Sequence, residues 1–159
     1  MQLTAKQLGD HGEEFTRQLL EARGYSVVKL PNNSPTYDLE VSRGGRTFQV
    51  SVKVSRQKQH VRLGARRSVM RLEQGNFVFA YVPSEAEITT LDSSAYTLLI
   101  LPAELVRADS IAIHDEYWLA RARDPNIFSV MVKGYDKYGR PTWSSWQPYR
   151  EAWHLLPQS

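Results

Sequence analysis

The residues best suited to chemistry are an aspartate and a lysine, Asp38 and Lys53, in two neighbouring segments where apolar and polar residues alternate. This period of two is typical of half-buried β-strands. Gly44-Gly45 between the segments predicts a tight turn, and therefore a β-hairpin. The polar positions of the hairpin share one open face: Asp38, Glu40, Gln49, Ser51 and Lys53. A carboxylate that can hold Mg²⁺ beside an ammonium group suits metal-assisted phosphodiester chemistry.

The same alternation is also the commonest pattern of antiparallel sheets with one solvated face. On these two strands alone, ordinary solvent-exposed polar side chains are therefore an alternative to a functional site. The choice between them depends on the sequence on either side of the hairpin.

A basic segment follows the hairpin directly. Residues 53–72 contain seven lysines and arginines and no acidic residue, although the net charge of the whole chain is only +3. Such a local excess of positive charge predicts contact with phosphate groups, and a solvated helix or loop face is the alternative. The predicted nucleic-acid-binding residues are Arg56, Lys58, Arg62, Arg66, Arg67 and Arg71.

The length of 159 residues allows one hydrophobic core and is short for two domains, so we expect a single domain over residues 1–159. We expect its core at about residues 4–101 and a C-terminal extension at about residues 102–159. The absence of cysteine excludes disulfides and thiolate metal sites and suits a reducing compartment. No apolar stretch has the length of a signal peptide or a membrane span. We therefore expect a cytoplasmic protein with no membrane partner.

The remaining patterns predict helices and strands in mixed order. Thr4 and Gln7 form a capping-box pattern at the start of a helix that Gly24 ends. Gly64 weakens a second helical pattern. The predicted elements are helix 4–24, strand 25–30, the hairpin, helix 61–73, strands 76–83 and 96–101, a short helix from 102, strand 127–133 and helix 146–156. Residues 111–123 are ambiguous. The sequence predicts an α/β fold with a mixed sheet.

This order, with its aspartate and lysine, resembles the PD-(D/E)XK nuclease-like superfamily, and in particular its restriction-endonuclease-like and Holliday-junction-resolvase-like members. The matching segments are GDHGEEFTRQLLEARGY, YDLEV and FQVSVKVSR, which lie between Gly9 and Arg56. The resemblance continues to about Pro83, and no motif is recognised beyond it. It implies a restriction-endonuclease-like core with a mixed central sheet flanked by helices, in the order α-β-β-β-α-β.

The resemblance also implies roles for individual residues. Gly12-Glu13 matches the helix Gly-Glu of the family, Asp38 matches its metal-binding aspartate, and Lys53 matches its lysine. Ser51 stands where the family usually has a carboxylate, so the motif is a degenerate SxK. A neutral hydroxyl is a poor ligand for a hard dication. The implied catalytic residues are Glu13, Asp38 and Lys53 with Ser51 and Gln49 as polar auxiliaries, and the implied metal ligands are Asp38, Glu13 and Glu40.

Two functions remain open. The first is a Mg²⁺-dependent endonuclease of restriction or resolvase type, with Mn²⁺ as a substitute metal, DNA as partner and a homodimer as one assembly. The second is a nuclease fold that has lost its chemistry and binds nucleic acid or protein, as an immunity or accessory protein does. Ser51 favours the second function, whereas Asp38 and Lys53 favour the first.

Overall fold

The computed structural model describes residues 4–55, 60–83, 96–131 and 144–158. Its helices are α1 (Ala5–Ala22), α2 (Arg66–Val69) and α3 (Ala103–Ile113). Its strands are β1 (Ser26–Lys29), β2 (Leu39–Arg43), β3 (Arg46–Val54), β4 (His60–Ala65), β5 (Phe77–Pro83), β6 (Tyr96–Pro102) and β7 (Ile127–Met131). Five strands form a sheet in the order β1-β2-β3-β5-β6, while β4 and β7 pair as a separate ribbon.

The central sheet is mixed, as predicted. β1, β2 and β3 are antiparallel neighbours, β3 and β5 are parallel, and β6 returns antiparallel to β5. The β2–β3 hairpin is confirmed, and its turn needs glycine because Gly44 and Gly45 have φ angles of 58° and 81°. Leu39 pairs with Val50 at the last register position of the hairpin, and β3 continues beyond this pair without a β2 partner.

Helix α1 begins and ends as the sequence predicts. Thr4 and Gln7 form the capping box: Thr4 Oγ1 accepts a hydrogen bond from Gln7 N at 3.1 Å, and Thr4 N donates to Gln7 Oε1 at 2.9 Å. At the other end, Gly24 adopts a φ of 91°, which favours glycine. The buried side of the helix consists of Leu8, Gly12, Thr16 and Leu20.

Both faces of the sheet are buried. On the helix face, where α1 lies, the core includes Leu20, Leu39, Val41, Val50 and Phe79. On the opposite face, here called the ribbon face, the core includes Leu63, Val69, Val78, Leu101, Val106 and Trp146. The predicted open face of the hairpin is therefore wrong at Ser51, which is only 1% exposed. Side chains of β4, α2 and β5 surround it, among them Leu63, Val69 and Val78.

Two predicted helices are wrong. Residues 61–73 form β4 and only one turn of helix, because Val61 and Leu63 alternate into the core and Gly64, with a φ of 99°, lies at a register shift. Residues 146–156 instead contain the 3₁₀ turns Ser144–Tyr149 and Trp153–Leu155. Pro148 lacks a donor for a longer helix, and Glu151 between the turns has a φ of 47°.

The other predicted elements have counterparts. The strands predicted at 76–83, 96–101 and 127–133 correspond to β5, β6 and β7. The ambiguous residues 111–123 contain the end of α3, a π-helical turn at His114–Trp118 and a 3₁₀ turn at Leu119–Arg121. Strand β4 is an addition to the expected α-β-β-β-α-β order. Within the described ranges, no helix has the length and apolarity needed to cross a membrane.

Candidate active site

Asp38 lies directly before β2 and is held by the strands on both sides. Its backbone N–H donates to Val50 O at 2.9 Å, and its carbonyl accepts from Leu30 N at 2.8 Å. Its side chain also joins the sheet, because Oδ2 accepts a hydrogen bond from Val52 N at 2.7 Å. Burial raises the pKa of the Asp38 carboxyl, while the Val52 N–H and the Lys53 ammonium lower it. The carboxylate is therefore fixed in place but costly to keep charged.

Lys53 lies on β3 with its side chain on the ribbon face. Together with Ser51 it lines a small pocket whose walls include Leu63 and Val69. A Cβ atom on Gly64 would lie 3.9 Å from Lys53 Nζ, so the ammonium is close to the backbone of β4. Burial lowers the pKa of Lys53, while the charges of Asp38 and Glu13 raise it. The two carboxylates thus favour the charged form of a buried lysine.

Glu13 reaches the same place from α1. Burial raises the pKa of its carboxyl, the Asp38 charge raises it further, and Lys29 lowers it. The Nζ atom of Lys29 lies 3.8 Å from Glu13 Oε1, and half of the Lys29 side chain is exposed. Glu13 and Lys53 come from opposite faces of the sheet and meet near Asp38, where β3 runs past the start of β2. We call Glu13, Lys29, Asp38 and Lys53 the charge cluster.

The fold around this cluster is similar to that of a solved nuclease. The bacterial homing endonuclease I-Ssp6803I superposes with a TM-score of 0.56 and 22% sequence identity, over 96% of this chain and 90% of that chain. The chain has the PD-(D/E)XK nuclease-like fold. The Holliday junction resolvase Hjc of Archaeoglobus fulgidus gives a weaker match, with a TM-score of 0.47 and 13% identity over 77% of this chain and 83% of that chain. No protein-family model and no curated protein matches the sequence.

Three of the residues implied by resemblance to this fold are brought together, namely Glu13, Asp38 and Lys53. Glu40 is not among the charges that shift the pKa of Asp38, and it is exposed opposite Gln49. The backbone N–H of Gln49 donates to Asn76 Oδ1 at 2.8 Å.

Two acidic residues of the helix compete for a role in the site, and the structure separates them. Glu14, the neighbour of Glu13, is exposed and forms an ion pair with Arg17 on the outer side of α1. Only Glu13 faces Asp38 and Lys53.

Sequence reasoning missed Lys29. It is the last residue of β1 and pairs with Leu39, the residue after Asp38. The strand pattern that contains Lys29 was visible in the sequence, but the register that places it beside Glu13 was not.

Ser51 has the least expected environment. Its Oγ atom is buried and has no hydrogen-bond partner among the residues that the structure describes. A buried hydroxyl without a partner is costly, and such groups occur at ligand sites. The hydroxyl is thus a neutral oxygen donor on the same strand as Lys53.

The charge cluster offers a divalent metal two carboxylates, those of Asp38 and Glu13. No group of three or more His, Cys, Asp or Glu side chains able to hold a metal occurs within residues 4–55, 60–83, 96–131 and 144–158. Mg²⁺, however, is commonly held by one or two carboxylates and keeps several waters. Asp38 and Glu13 repel each other when both are charged, and a cation near them would relieve this repulsion. The two carboxylates therefore fit Mg²⁺ that keeps several of its waters.

The predicted basic surface is divided. Arg62, Arg67 and Arg71 are exposed, as phosphate contact requires. Arg66 is instead only partly exposed and already has partners, because its Nη2 atom forms an ion pair with Asp124 and lies 2.6 Å from His114 Nε2. The predictions for Arg56 and Lys58 lie outside the described residues.

The exposed arginines are connected to the Asp38 loop through α2. Thr36 Oγ1 donates to Ser68 O at 3.0 Å, and Ser68 Oγ donates in return to Pro35 O at 2.7 Å. The loop is tied a second time beyond α2, because Tyr37 Oη accepts a hydrogen bond from Glu73 N at 2.9 Å. These contacts fix the arginine-bearing segment relative to the charge cluster.

Proposed function

We propose that this protein is a Mg²⁺-dependent endonuclease that cleaves DNA phosphodiester bonds. The observation that carries the proposal is the charge cluster, in which Asp38, Glu13 and Lys53 come together from three elements of a nuclease-like fold. Buried charged groups with shifted pKa values and specific charged partners are typical of active sites. Asp38 and Glu13 would hold the metal ion, with Ser51 beside them.

Mg²⁺, when bound, neutralises charge on the phosphate and lowers the pKa of a coordinated water. Lys53 would place its ammonium where negative charge develops on the phosphate. The low-dielectric pocket strengthens that interaction, since the walls beside Lys53 are formed by Leu63 and Val69. Asp38 has a second role, because its hydrogen bond with Val52 N fixes the carboxylate relative to the strand that carries Lys53.

DNA is the substrate that the surface favours. Arg62, Arg67 and Arg71 are exposed on the segment that follows the hairpin and would contact backbone phosphates. Lys29 is half exposed beside Glu13 and supplies a further positive charge at the entrance to the site. These contacts read the DNA backbone and not its sequence.

The test is cleavage of plasmid DNA in Mg²⁺, in Mn²⁺ and in EDTA. We expect cleavage in either metal and none in EDTA. Asp38→Ala and Glu13→Gln should each abolish it, while Glu40→Ala and Glu14→Gln should leave it nearly unchanged. The two control residues are exposed carboxylates close in sequence to the residues they control for. Glu40 lies two positions after Asp38, and Glu14 directly follows Glu13. Cleavage that persists in Asp38→Ala would contradict the proposal.

Ser51 supports a second candidate, a nuclease fold that binds nucleic acid without cutting it. At this position a neutral and buried hydroxyl replaces the carboxylate that the resemblance implies. This candidate predicts salt-sensitive DNA binding by the parent protein with no cleavage in either metal. Ser51→Glu should then increase Mg²⁺ affinity, because a carboxylate is a stronger ligand than a hydroxyl for a hard dication.

A further inference from the structure

Helix α1 approaches the sheet closely at Gly12. A Cβ atom on this residue would lie 2.4 Å from Val54 Cγ2 and 3.4 Å from Val52 Cγ1, both on β3. The first distance is well inside van der Waals contact, so any side chain at position 12 would require movement of the helix, the strand or the Val54 side chain. At Gly9, in the preceding turn, the same construction meets nothing within 4 Å. The close approach is therefore specific to position 12.

The residues at this contact flank the charge cluster. Glu13 follows Gly12 directly, and Lys53 lies between Val52 and Val54 on β3. Val52 and Val54 pack toward α1, whereas Lys53 projects to the ribbon face. The separation of α1 from β3 at Gly12 therefore determines how near the Glu13 carboxylate comes to Asp38 and Lys53.

A second contact holds the helix one turn later. Thr16 is fully buried, and its Oγ1 atom lies 2.7 Å from Gly12 O and 2.7 Å from Tyr81 Oη on β5. Phe15 packs edge-on against the same Tyr81 ring. Because these contacts fix α1 on β5, a larger residue at position 12 would move the N-terminal part of the helix away from β3. That part carries Glu13.

We propose that Gly12 is a positioning residue, which sets the distance from the Glu13 carboxylate to Asp38 and Lys53 by allowing α1 to touch β3. The inference rests on the proposed function, since it assigns Glu13 to the metal site. Gly12 itself touches no reacting group.

The experiment compares Gly12→Ala with Gly9→Ala, two identical changes one turn apart in the same helix. Alanine has the higher helix propensity, so Gly9→Ala should raise the Tm slightly and leave Mg²⁺ affinity unchanged. Gly12→Ala should lower the Mg²⁺ affinity measured by calorimetry by about 10- to 100-fold, the range found when residues that orient metal ligands are changed. It should also lower kcat more than it raises KM.

A second substitution separates positioning from general damage to the fold. Val54→Ala removes the methyl group that a Cβ at position 12 would meet. In the double variant Gly12→Ala/Val54→Ala, Mg²⁺ affinity should return to within about threefold of that of Val54→Ala alone. If Gly12→Ala does not fold, Val54→Ile adds one methylene to the same contact and should weaken Mg²⁺ binding in the same direction by a smaller factor.

Crystal structures of the two alanine variants give a readout that needs no metal. The Glu13 Cα should lie farther from the Lys53 Cα in Gly12→Ala, and at its original distance in Gly9→Ala. Equal positions in the two variants, or a double variant that is not rescued, would overturn the inference. A parent protein that neither binds Mg²⁺ nor cleaves DNA would overturn the proposed function instead.

Discussion

Two groups of ionisable side chains in this fold are built in opposite ways. In the charge cluster, burial shifts the pKa values of Glu13, Asp38 and Lys53, and the Lys29–Glu13 ion pair is long at 3.8 Å. In the second group, here called the Arg66 cluster (Arg66, His114, Asp115 and Asp124), the partners touch directly. His114 lies 2.8 Å from Asp124 through Nε2 and 3.0 Å from Asp115 through Nδ1, and Arg66 pairs with the same Asp124.

The contrast separates the arrangement that we propose binds a metal ion from one that connects elements of the fold. The Arg66 cluster joins α2, the π-helical turn and the segment before β7, and the charges of Arg66 and Asp124 are paired within it. The charge cluster contains two carboxylates that repel and a hydroxyl that lacks a partner among the described residues. Such a site lowers the stability of the free protein and gains from a bound cation. Substitutions in the charge cluster should therefore lower activity, whereas substitutions in the Arg66 cluster should lower stability.

The largest difference is expected between Asp38→Ala and Asp124→Ala. Asp38→Ala should lower kcat for DNA cleavage by at least about 10²- to 10³-fold, as loss of a preorganised electrostatic group does. Asp124→Ala should leave kcat within about threefold, but should destabilise the fold by up to about 1 kcal/mol because Arg66 and His114 lose a shared, partly solvated acceptor. Cleavage assays and denaturant unfolding of both variants measure this contrast. A loss of cleavage in Asp124→Ala without a loss of stability would contradict the expected difference between the two clusters.

The second difference concerns the lysine and the arginine at the centre of each cluster. Because the folded-state pKa of Lys53 is lowered, the unfolded state binds more protons between that pKa and the ordinary value of 10.5. The buried charge of Lys53 therefore lowers the stability of the fold by its full amount at pH values below the folded-state pKa. This destabilisation decreases as the pH rises from that pKa toward 10.5. Lys53→Met should be inactive, yet more stable than the parent at about pH 3–4, where the carboxylates are largely protonated.

Arg66→Met is the control for this prediction and should be less stable than the parent at neutral pH. It removes an ion pair and a contact with His114 while leaving the charge cluster intact. Thermal unfolding between about pH 3 and pH 8 compares the two variants. A Lys53→Met protein that unfolds more easily than the parent at acid pH would show that the lysine stabilises the fold.

A third prediction uses the carboxylates. The raised pKa values of Asp38 and Glu13 mean that the folded protein holds protons that the unfolded chain has already lost. Their contribution to stability is present below the ordinary pKa values and is lost as pH rises through the folded ones. Mg²⁺ must displace these protons, so its affinity should decrease as pH falls through the raised pKa values.

Calorimetric titration with Mg²⁺ at several pH values measures this dependence, and proton release on binding should accompany it. In Glu13→Gln one carboxyl no longer titrates, so both the affinity and its pH dependence should decrease. An affinity that does not change between about pH 4 and pH 7 would place the metal elsewhere.

The sequence predicted the local part of this site and failed on its surroundings. The alternation around Gly44-Gly45 was sufficient for the hairpin, and the resemblance pointed to Glu13, Asp38 and Lys53, which the fold brings together. The burial of Ser51 could not be predicted, since the residues around it, such as Leu63 and Val69, belong to a segment for which the sequence predicted a helix and not the strand β4.

The errors have related causes. The segment at residues 61–73 carries charges at intervals that suit a helix, and the register shift at Gly64 depends on pairing with β7. Arg66 was indistinguishable from Arg67 in the sequence, because its partner Asp124 is supplied by a later segment. Local patterns thus predicted the strands and the candidate ligands. Long-range contacts determine which charged side chains are paired within the protein and which are exposed to a ligand.

The smallest predicted effect tests the basic surface by the same comparison. Arg67 and Arg71 are exposed, whereas Arg66 is committed to Asp124 and His114. Each phosphate contact contributes about 0.9 to the slope of log Kd against log salt on duplex DNA. The double variant Arg67→Ala/Arg71→Ala should therefore reduce this slope by about one to two units. Arg66→Ala should lower the Tm and leave the slope unchanged.

Binding titrations at four or five salt concentrations are sufficient, with Asp38→Asn as background so that no DNA is cut. An equal slope in the parent and the double variant would mean that these arginines are merely solvated, and an Arg66→Ala protein with a reduced slope would show that its ion pair opens for DNA.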